Sequence, residues 1–123
     1  MANEISASVV LSATKGHLSV ARRVSSRFTL AGTHYASQVQ GIPHAAPEAL
    51  AFPADVATKG WAFFRNTDTT NPVSIGPLDA LAALIPVVTL QPGEFALIPL
   101  GTATLYAQAT TATVALEWIL LER

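Results

Sequence analysis

The sequence predicts an all-β protein, a β-sandwich with a jelly-roll-like arrangement of about eight short strands. Segments in which apolar and polar residues alternate recur along the 123 residues, and this period of two is typical of a strand with one buried face. Glycine and proline interrupt the chain about every 8–12 residues, the spacing of sandwiches and barrels. No segment keeps a helical period over three turns. We therefore expect a single sandwich domain over residues 1–123.

The first 30 residues predict two strands joined by a turn. Residues 5–13 place apolar side chains at odd positions and mainly serine between them. Lys15 and Gly16 supply the turn, and residues 20–30 alternate again. Arg22 falls on the apolar face of this second strand, where a bulge, an ion pair or an edge position would explain it. Residues 1–16, approximately, are also expected to serve as an N-terminal arm.

The middle of the chain predicts one short strand and a long loop. The strand covers residues 34–40, and the loop covers approximately residues 41–58. Prolines at 43, 47 and 53 make regular structure unfavourable in this loop. Residues 45–51 have the composition for one helical turn.

The second half of the chain predicts the remaining strands. They are expected at residues 61–66, 73–75, 87–90, 95–100, 105–109 and 113–121. The tetrapeptide from Gln91 to Glu94 has the proline and glycine positions of a type II turn. Residues 78–84 fit a short helix or a loop. Trp118 shares a strand face with three aliphatic side chains and is expected in the core.

Charged residues are unusually few. Asp, Glu, Lys and Arg make up 12% of the chain, against about 25% in typical proteins. Because the centres of protein interfaces are depleted in charge, we expect part of the surface to be covered in a homo-oligomer, specifically a trimer. The alternative is a neutral surface rich in Ser, Thr and Ala. The net charge of −1 argues against strong binding to nucleic acid or to acidic membranes.

No residue pattern indicates catalysis or a cofactor. Cysteine is absent, no serine stands in a Gly-x-Ser-x-Gly motif, and the three histidines lack metal-ligand spacing. We therefore expect no enzyme activity, no cofactor and no metal site. The segment from Asn66 to Asn71 is expected to form a turn, although its oxygen atoms could also bind Ca²⁺. Trp61, Phe63, Phe64 and Trp118 are expected in the core, with a sugar-stacking platform as the alternative.

Arg22, Arg23 and Arg27 form the one basic cluster, and they are the candidate partner-docking residues. On a strand, Arg23 and Arg27 point to the same side. They could dock onto an acidic partner. The alternative is that charge on an edge strand prevents aggregation.

The C-terminal two-thirds of the chain resembles small β-rich proteins that phages encode among their head and tail genes. The resemblance rests on five segments in order: residues 60–66, 71–76, 90–97, 105–109 and 114–122. It implies a virion component. Because no export signal is visible in the sequence, we expect the protein to be made in the host cytoplasm.

The specific expectation is a capsid decoration, or cement, protein on the outside of the phage head. Its partners would be other copies of itself and the major capsid protein, with no nucleic acid and no membrane. Two alternatives stay open: a tail, fibre or head–tail connection module, and a carbohydrate-binding module.

Overall fold

The computed structural model describes residues 4–123, and within them ten strands and no helix are present. The predicted all-β class is confirmed. No helix in the described part of the chain is long and apolar enough to cross a membrane. The chain divides after Ala31 into two compact units, and each is described by itself.

The first unit is a two-stranded antiparallel hairpin. It consists of β1 (Ile5–Lys15) and β2 (Leu18–Phe28). Pairing runs in continuous register from Ile5 with Phe28 to Lys15 with Leu18. Gly16 opens the two-residue loop with φ +57°, a backbone conformation that glycine adopts without steric cost. Both predicted strands and the predicted turn are therefore confirmed.

The hairpin can be compared with the expected boundaries of the domain and of the N-terminal arm. The expected arm, residues 1–16, covers one strand of the hairpin and its turn, while residues 1–3 lie outside the described part of the chain. The compact second unit begins at Gly32. Both strands of the hairpin thus precede it.

The second unit contains eight strands in two four-stranded sheets. They are β3 (Tyr35–Ile42), β4 (Glu48–Ala49), β5 (Lys59–Asn66), β6 (Val73–Gly76), β7 (Val88–Leu90), β8 (Phe95–Pro99), β9 (Tyr106–Ala109) and β10 (Val114–Glu122). The strand order is β3-β10-β5-β8 in one sheet, here sheet A, and β4-β9-β6-β7 in the other, sheet B.

The strand pairing follows the jelly-roll pattern. β6 pairs with β7, β5 with β8, β4 with β9 and β3 with β10, and all four pairs are antiparallel. The pairs are nested in the chain, so the eight strands form one long ribbon that is rolled up. Rolling brings β10 beside β5 and β9 beside β6. This arrangement is a jelly roll of eight strands and confirms the predicted sandwich, although the predicted strand set included the two hairpin strands and lacked β4.

The core lies between the two sheets and contains the residues that alternation predicted. On β10 the side chains of Val114, Leu116, Trp118 and Leu120 are at most 1% exposed. Val73 and Ile75 of β6 are buried opposite them in the same cluster. The prediction that Trp118 belongs to the core is confirmed, and its ring packs edge-on against Phe52 with centroids 4.9 Å apart.

Three connections differ from or refine the predictions. The prediction of a helical turn at residues 45–51 is wrong, because Glu48 and Ala49 form β4 and pair with β9. β3 continues through Ile42 and stops before Pro43, which has no N–H to donate. Residues 78–84 form a loop closed by a bridge between Leu78 and Leu84.

The predicted type II turn after β7 is confirmed. Glu94 donates its backbone N–H to the Gln91 carbonyl oxygen at 2.9 Å. Gly93 has φ +81°, the conformation that this turn requires at its third residue. The turn carries the chain from β7 in sheet B to β8 in sheet A.

Candidate assembly surfaces

The hairpin has one apolar face, and that face is exposed. The register places the odd-numbered side chains of β1 beside the even-numbered side chains of β2. The large apolar members of this face that are exposed are Val9, Leu11, Leu18, Val20 and Val24. Leu11, for example, is 56% exposed. A two-stranded hairpin has no second layer of its own, so this face is available to another surface.

The three candidate docking arginines are divided between the two hairpin faces. Arg23 pairs with Val10 and Arg27 pairs with Ser6, so both lie on the polar face among serines. Arg22 pairs with Leu11 on the apolar face. The structure therefore brings Arg23 and Arg27 together on one side and places Arg22 on the other. All three are exposed.

The position of Arg22 follows from the two-stranded sheet and involves no bulge. The register of β1 and β2 continues past Arg22 without a shift. Since both strands of a two-stranded sheet are edges, a long charged side chain at this position can extend beyond the sheet into water. Of the three explanations for its position on the apolar face, the edge position is the one that fits.

The two units carry net charges of opposite sign. The segment up to Ala31 carries Lys15, the three arginines and Glu4, which gives +4 − 1 = +3. The second unit carries three basic and seven acidic residues, which gives +3 − 7 = −4. The two values add up to the net charge of −1. A nearly neutral chain thus consists of a basic hairpin and an acidic sandwich.

Sheet A has an apolar outer face. Strand alternation points Gly60, Ala62, Phe64 and Asn66 of β5 inward, so the residues between them point outward. The exposed large apolar side chains of this outer face are Tyr35, Val39, Phe95, Leu97 and Ile119. Phe63 lies beside Phe95 with ring centroids 6.2 Å apart. An apolar face of this kind is typical of a surface that another protein covers.

Glu117 lies in the middle of this outer face. In register it stands between Val39 on β3 and Arg65 on β5. It is half-buried. No hydrogen bond or ion pair of its side chain is present among residues 4–123. Glu117 is therefore a half-buried carboxylate on an apolar surface, with Arg65 as its cross-strand neighbour and without an ion pair within the described residues.

The outer face of sheet B is polar by comparison. Ser74 of β6 stands between Gln108 of β9 and Thr89 of β7. Ser74 and Thr89 hydroxyl oxygens are 2.9 Å apart, in hydrogen-bond contact. The apolar sheet face is thus that of sheet A, while three further exposed apolar residues lie in the connection between β6 and β7: Leu81, Ile85 and Val87.

A buried polar network supports the core and was not predicted from the sequence. Gln40 accepts hydrogen bonds at Oε1 from Trp118 Nε1 and from the Ala51 backbone N–H, at 3.1 and 3.0 Å. Its Nε2 donates to the Ala49 carbonyl oxygen. Asn66, fully buried, donates from Nδ2 to the carbonyl oxygens of Asn71 and Leu90. These amides satisfy loop backbone that would otherwise be unpaired inside the protein.

Glu122 joins the two ends of the sandwich unit. Its Oε2 accepts hydrogen bonds from the backbone N–H groups of Thr33 and His34 and lies 2.9 Å from His34 Nδ1. Hydrogen bonds from the His34 backbone and ring lower the pKa of Glu122 from 4.5 to about 2. This carboxylate therefore holds the segment just before β3 against the end of β10.

The turn from Asn66 to Asn71 is built by its own side chains. Asn66 Oδ1 accepts from the Asp68 N–H, and Asp68 Oδ1 accepts from the N–H groups of Thr70 and Asn71. These backbone donors lower the pKa of Asp68. The predicted turn is confirmed, and it leads from sheet A to sheet B.

The aromatic residues considered as a sugar-stacking platform are also divided. The expectation that all four lie in the core is confirmed for Phe64 and Trp118 but is wrong for Trp61 and Phe63, which lie half-buried on the outer face of sheet A. Within the described residues, no three His, Cys, Asp or Glu side chains come close enough together to hold a metal ion. The surfaces described above are thus the candidate functional features.

Comparison of the chain with protein-family models, with curated proteins and with solved structures found no match.

Proposed function

We propose that the protein is a non-enzymatic structural subunit of a repeated assembly, and that this assembly is a phage head which it decorates. One observation carries the proposal: both the hairpin and sheet A present an apolar face to the outside. Soluble monomers rarely expose contiguous apolar patches larger than a few hundred Å². A protein with two such faces is best explained as one that works in contact with other subunits.

The low charge supports the same proposal. Only 12% of the residues are charged, and four of the fifteen lie in the connections of the sandwich: Asp55, Asp68, Asp79 and Glu94. The outer face of sheet A carries few charges, among them Glu117 and Arg65. Depletion of charge at the centre of a surface is typical of protein interfaces.

The phage assignment rests on the resemblance of residues 60–122 to small head and tail proteins of phages. In the structure this segment supplies β5 to β10, which are six of the eight strands of the jelly roll. The jelly roll occurs in viral structural proteins, but also in lectins and cupins, so the fold alone does not decide the function. The proposed partners are further copies of the chain, as a trimer, and the major capsid protein on the outside of the head.

The copy number of the protein in purified virions tests this proposal. Virions produced by the genome that encodes the chain are purified, and its abundance is measured against the major capsid protein by quantitative mass spectrometry. Hundreds of copies per particle are expected for a decoration protein. Absence from the virion would contradict the proposal.

The same measurement distinguishes the second candidate, a tail, fibre or connection module. Such parts form small rings, so roughly three to twelve copies per particle are expected for them. A count in that range would replace the head by the tail as the site of assembly.

A further inference from the structure

The hairpin is too small to be stable without a partner surface. An isolated two-stranded hairpin is marginally stable in water and needs a third strand or a second layer. Along its apolar face Val9 is 54% and Val24 46% exposed. Covering these side chains would supply the missing layer. The surface that covers them must itself be apolar, and it must extend over several residues of each hairpin strand.

The outer face of sheet A has matching chemistry and dimensions. Each hairpin strand has 11 residues, which makes the hairpin about 36 Å long and about 10 Å wide. The four strands of sheet A span about 19 Å, so the hairpin can lie across them as a second layer. Both surfaces are apolar over most of this area.

The two surfaces offer one pair of opposite charges, and Arg65, directly opposite Glu117 on β5, is a further cation on the outer face of sheet A. Arg22 lies near the middle of the apolar hairpin face, and Glu117 lies near the middle of the outer face of sheet A. Neither side chain has a hydrogen bond or ion pair within residues 4–123. The units as wholes carry +3 and −4, so the hairpin of one molecule is attracted to the sandwich of another over a longer range.

We propose that the hairpin of one copy packs its apolar face on the outer face of sheet A of a neighbouring copy, with Arg22 paired to Glu117. This inference rests on the proposed role as a subunit of a repeated assembly and specifies the partner of the hairpin as a second copy of this chain. Each copy then gives one hairpin and receives one. Such a head-to-tail contact closes into a ring if its rotation permits, and a trimer satisfies this requirement.

The size of the contact predicts how the ring assembles. Where the hairpin crosses the width of sheet A, its footprint is about 190 Å², or about 380 Å² over both partners. Stable interfaces bury about 1,200–2,000 Å² in total, so one contact alone is weak. In a closed ring every copy takes part in two contacts. Closed rings are therefore expected to form with little open dimer.

Charge reversal of the proposed pair tests the contact. The mass of wild type, Arg22→Glu, Glu117→Arg and the double variant is measured by light scattering over a wide micromolar range. Each single reversal is expected to weaken self-association at least about tenfold, because like charges then face each other. The double variant is expected to recover most of it. Ser12→Glu, which adds a negative charge on the opposite hairpin face, is the control and is expected to assemble like wild type.

Disulfide trapping shows which sheet the hairpin covers. The chain has no cysteine, so Val24→Cys and Ile119→Cys can be introduced into separate chains, mixed and oxidised. A cross-linked pair of different chains is expected. Ser25→Cys, on the polar hairpin face, is expected to form little cross-linked product with Ile119→Cys. A chain carrying both substitutions is expected to form cross-linked oligomers.

Three results would overturn the inference. One is a wild type that stays monomeric at all concentrations while the doubly substituted chain cross-links within itself, because the hairpin would then cover its own sheet. Another is a monomer that forms neither cross-link, which would assign the apolar hairpin face to a different protein. The third is self-association that Arg22→Glu leaves unchanged. The copy number in virions is measured independently of these results, so failure of the inference can be distinguished from failure of the proposed function.

Discussion

Trp118 and Gln40 are joined by a hydrogen bond of 3.1 Å inside the sandwich, from the indole Nε1 to the amide Oε1. The two residues lie on neighbouring strands, β10 and β3. This bond satisfies the polar atom of the largest core side chain. The same Oε1 also accepts from the Ala51 N–H, which connects the core to the segment after β4.

Trp118→Ala is expected to lower the free energy of unfolding by about 3–5 kcal/mol, the usual effect of truncating a buried aromatic side chain. This is a large part of a typical stability of about 5–15 kcal/mol. Chemical denaturation of dilute protein measures it. Ile119→Ala is the matched control, because Ile119 is the next residue on β10 and points outward at 37% exposure. A Trp118 variant that unfolds like wild type but fails to assemble would show that this face of β10 is an interface.

Gln40→Leu is expected to destabilise the protein although leucine is apolar and similar in size. The substitution removes the acceptor of Trp118 Nε1, which is buried, and of the Ala51 N–H. A buried group that is left unsatisfied costs about 1–3 kcal/mol. Urea unfolding measures the loss, and Gln38→Leu on the same strand, at an exposed position, is expected to change stability little. Equal effects of the two substitutions would show that the hydrogen bonds of Gln40 contribute nothing measurable.

Glu122 is expected to make the sandwich less stable in acid. Because its folded pKa is about 2 and its ordinary value is 4.5, the unfolded chain takes up this proton first. The stabilisation by ionised Glu122 is then complete above pH 4.5 and is lost as the pH falls toward 2. The melting temperature of Glu122→Gln is expected to lie below that of wild type at neutral pH.

The pH dependence of that difference is the decisive part of the measurement. The two melting temperatures are expected to converge as the pH falls from 4.5 toward 2. Asp55→Asn, which removes an exposed carboxylate, serves as the control and is expected to show no such convergence. A constant gap between Glu122→Gln and wild type over this range would contradict the role of the ionised carboxylate.

Arg23 and Arg27 are expected to dock the polar hairpin face onto an acidic capsid surface. They are about 13 Å apart along β2, a separation that suits two carboxylates. Arg23→Glu combined with Arg27→Glu is expected to leave the fold intact, since both side chains are exposed. Occupancy on purified heads is expected to fall, and wild-type attachment is expected to weaken with salt, because exposed ion pairs are screened over about 8–10 Å. Full occupancy of the double variant in low and high salt would exclude this docking role.

Local patterns determined much of the fold. Alternation predicted that Trp118 faces the core and that Arg23 and Arg27 share one side of a strand, because successive side chains of a strand always point to opposite faces. Gly93 marked the type II turn, since its φ is unfavourable for other residues. The apolar hairpin face and the position of Arg22 on it could be deduced in the same way. The spacing of glycine and proline gave approximately the number of strands, but it did not separate the two hairpin strands from the jelly roll and it missed β4.

Only the tertiary structure decided which strands pair and which faces stay outside. On β5 the residues Trp61 to Phe64 are all apolar, so alternation could not tell that Phe64 is inside and Phe63 outside. Gln40 looks like a surface residue until β10 places Trp118 beside it and the chain returns with Ala51. Glu122 likewise acts through Thr33 and His34, about 90 residues earlier in the chain. The physical reason is the same in each case: period fixes the direction of a side chain, but its partner comes from a strand that is distant in sequence and is brought near only by folding.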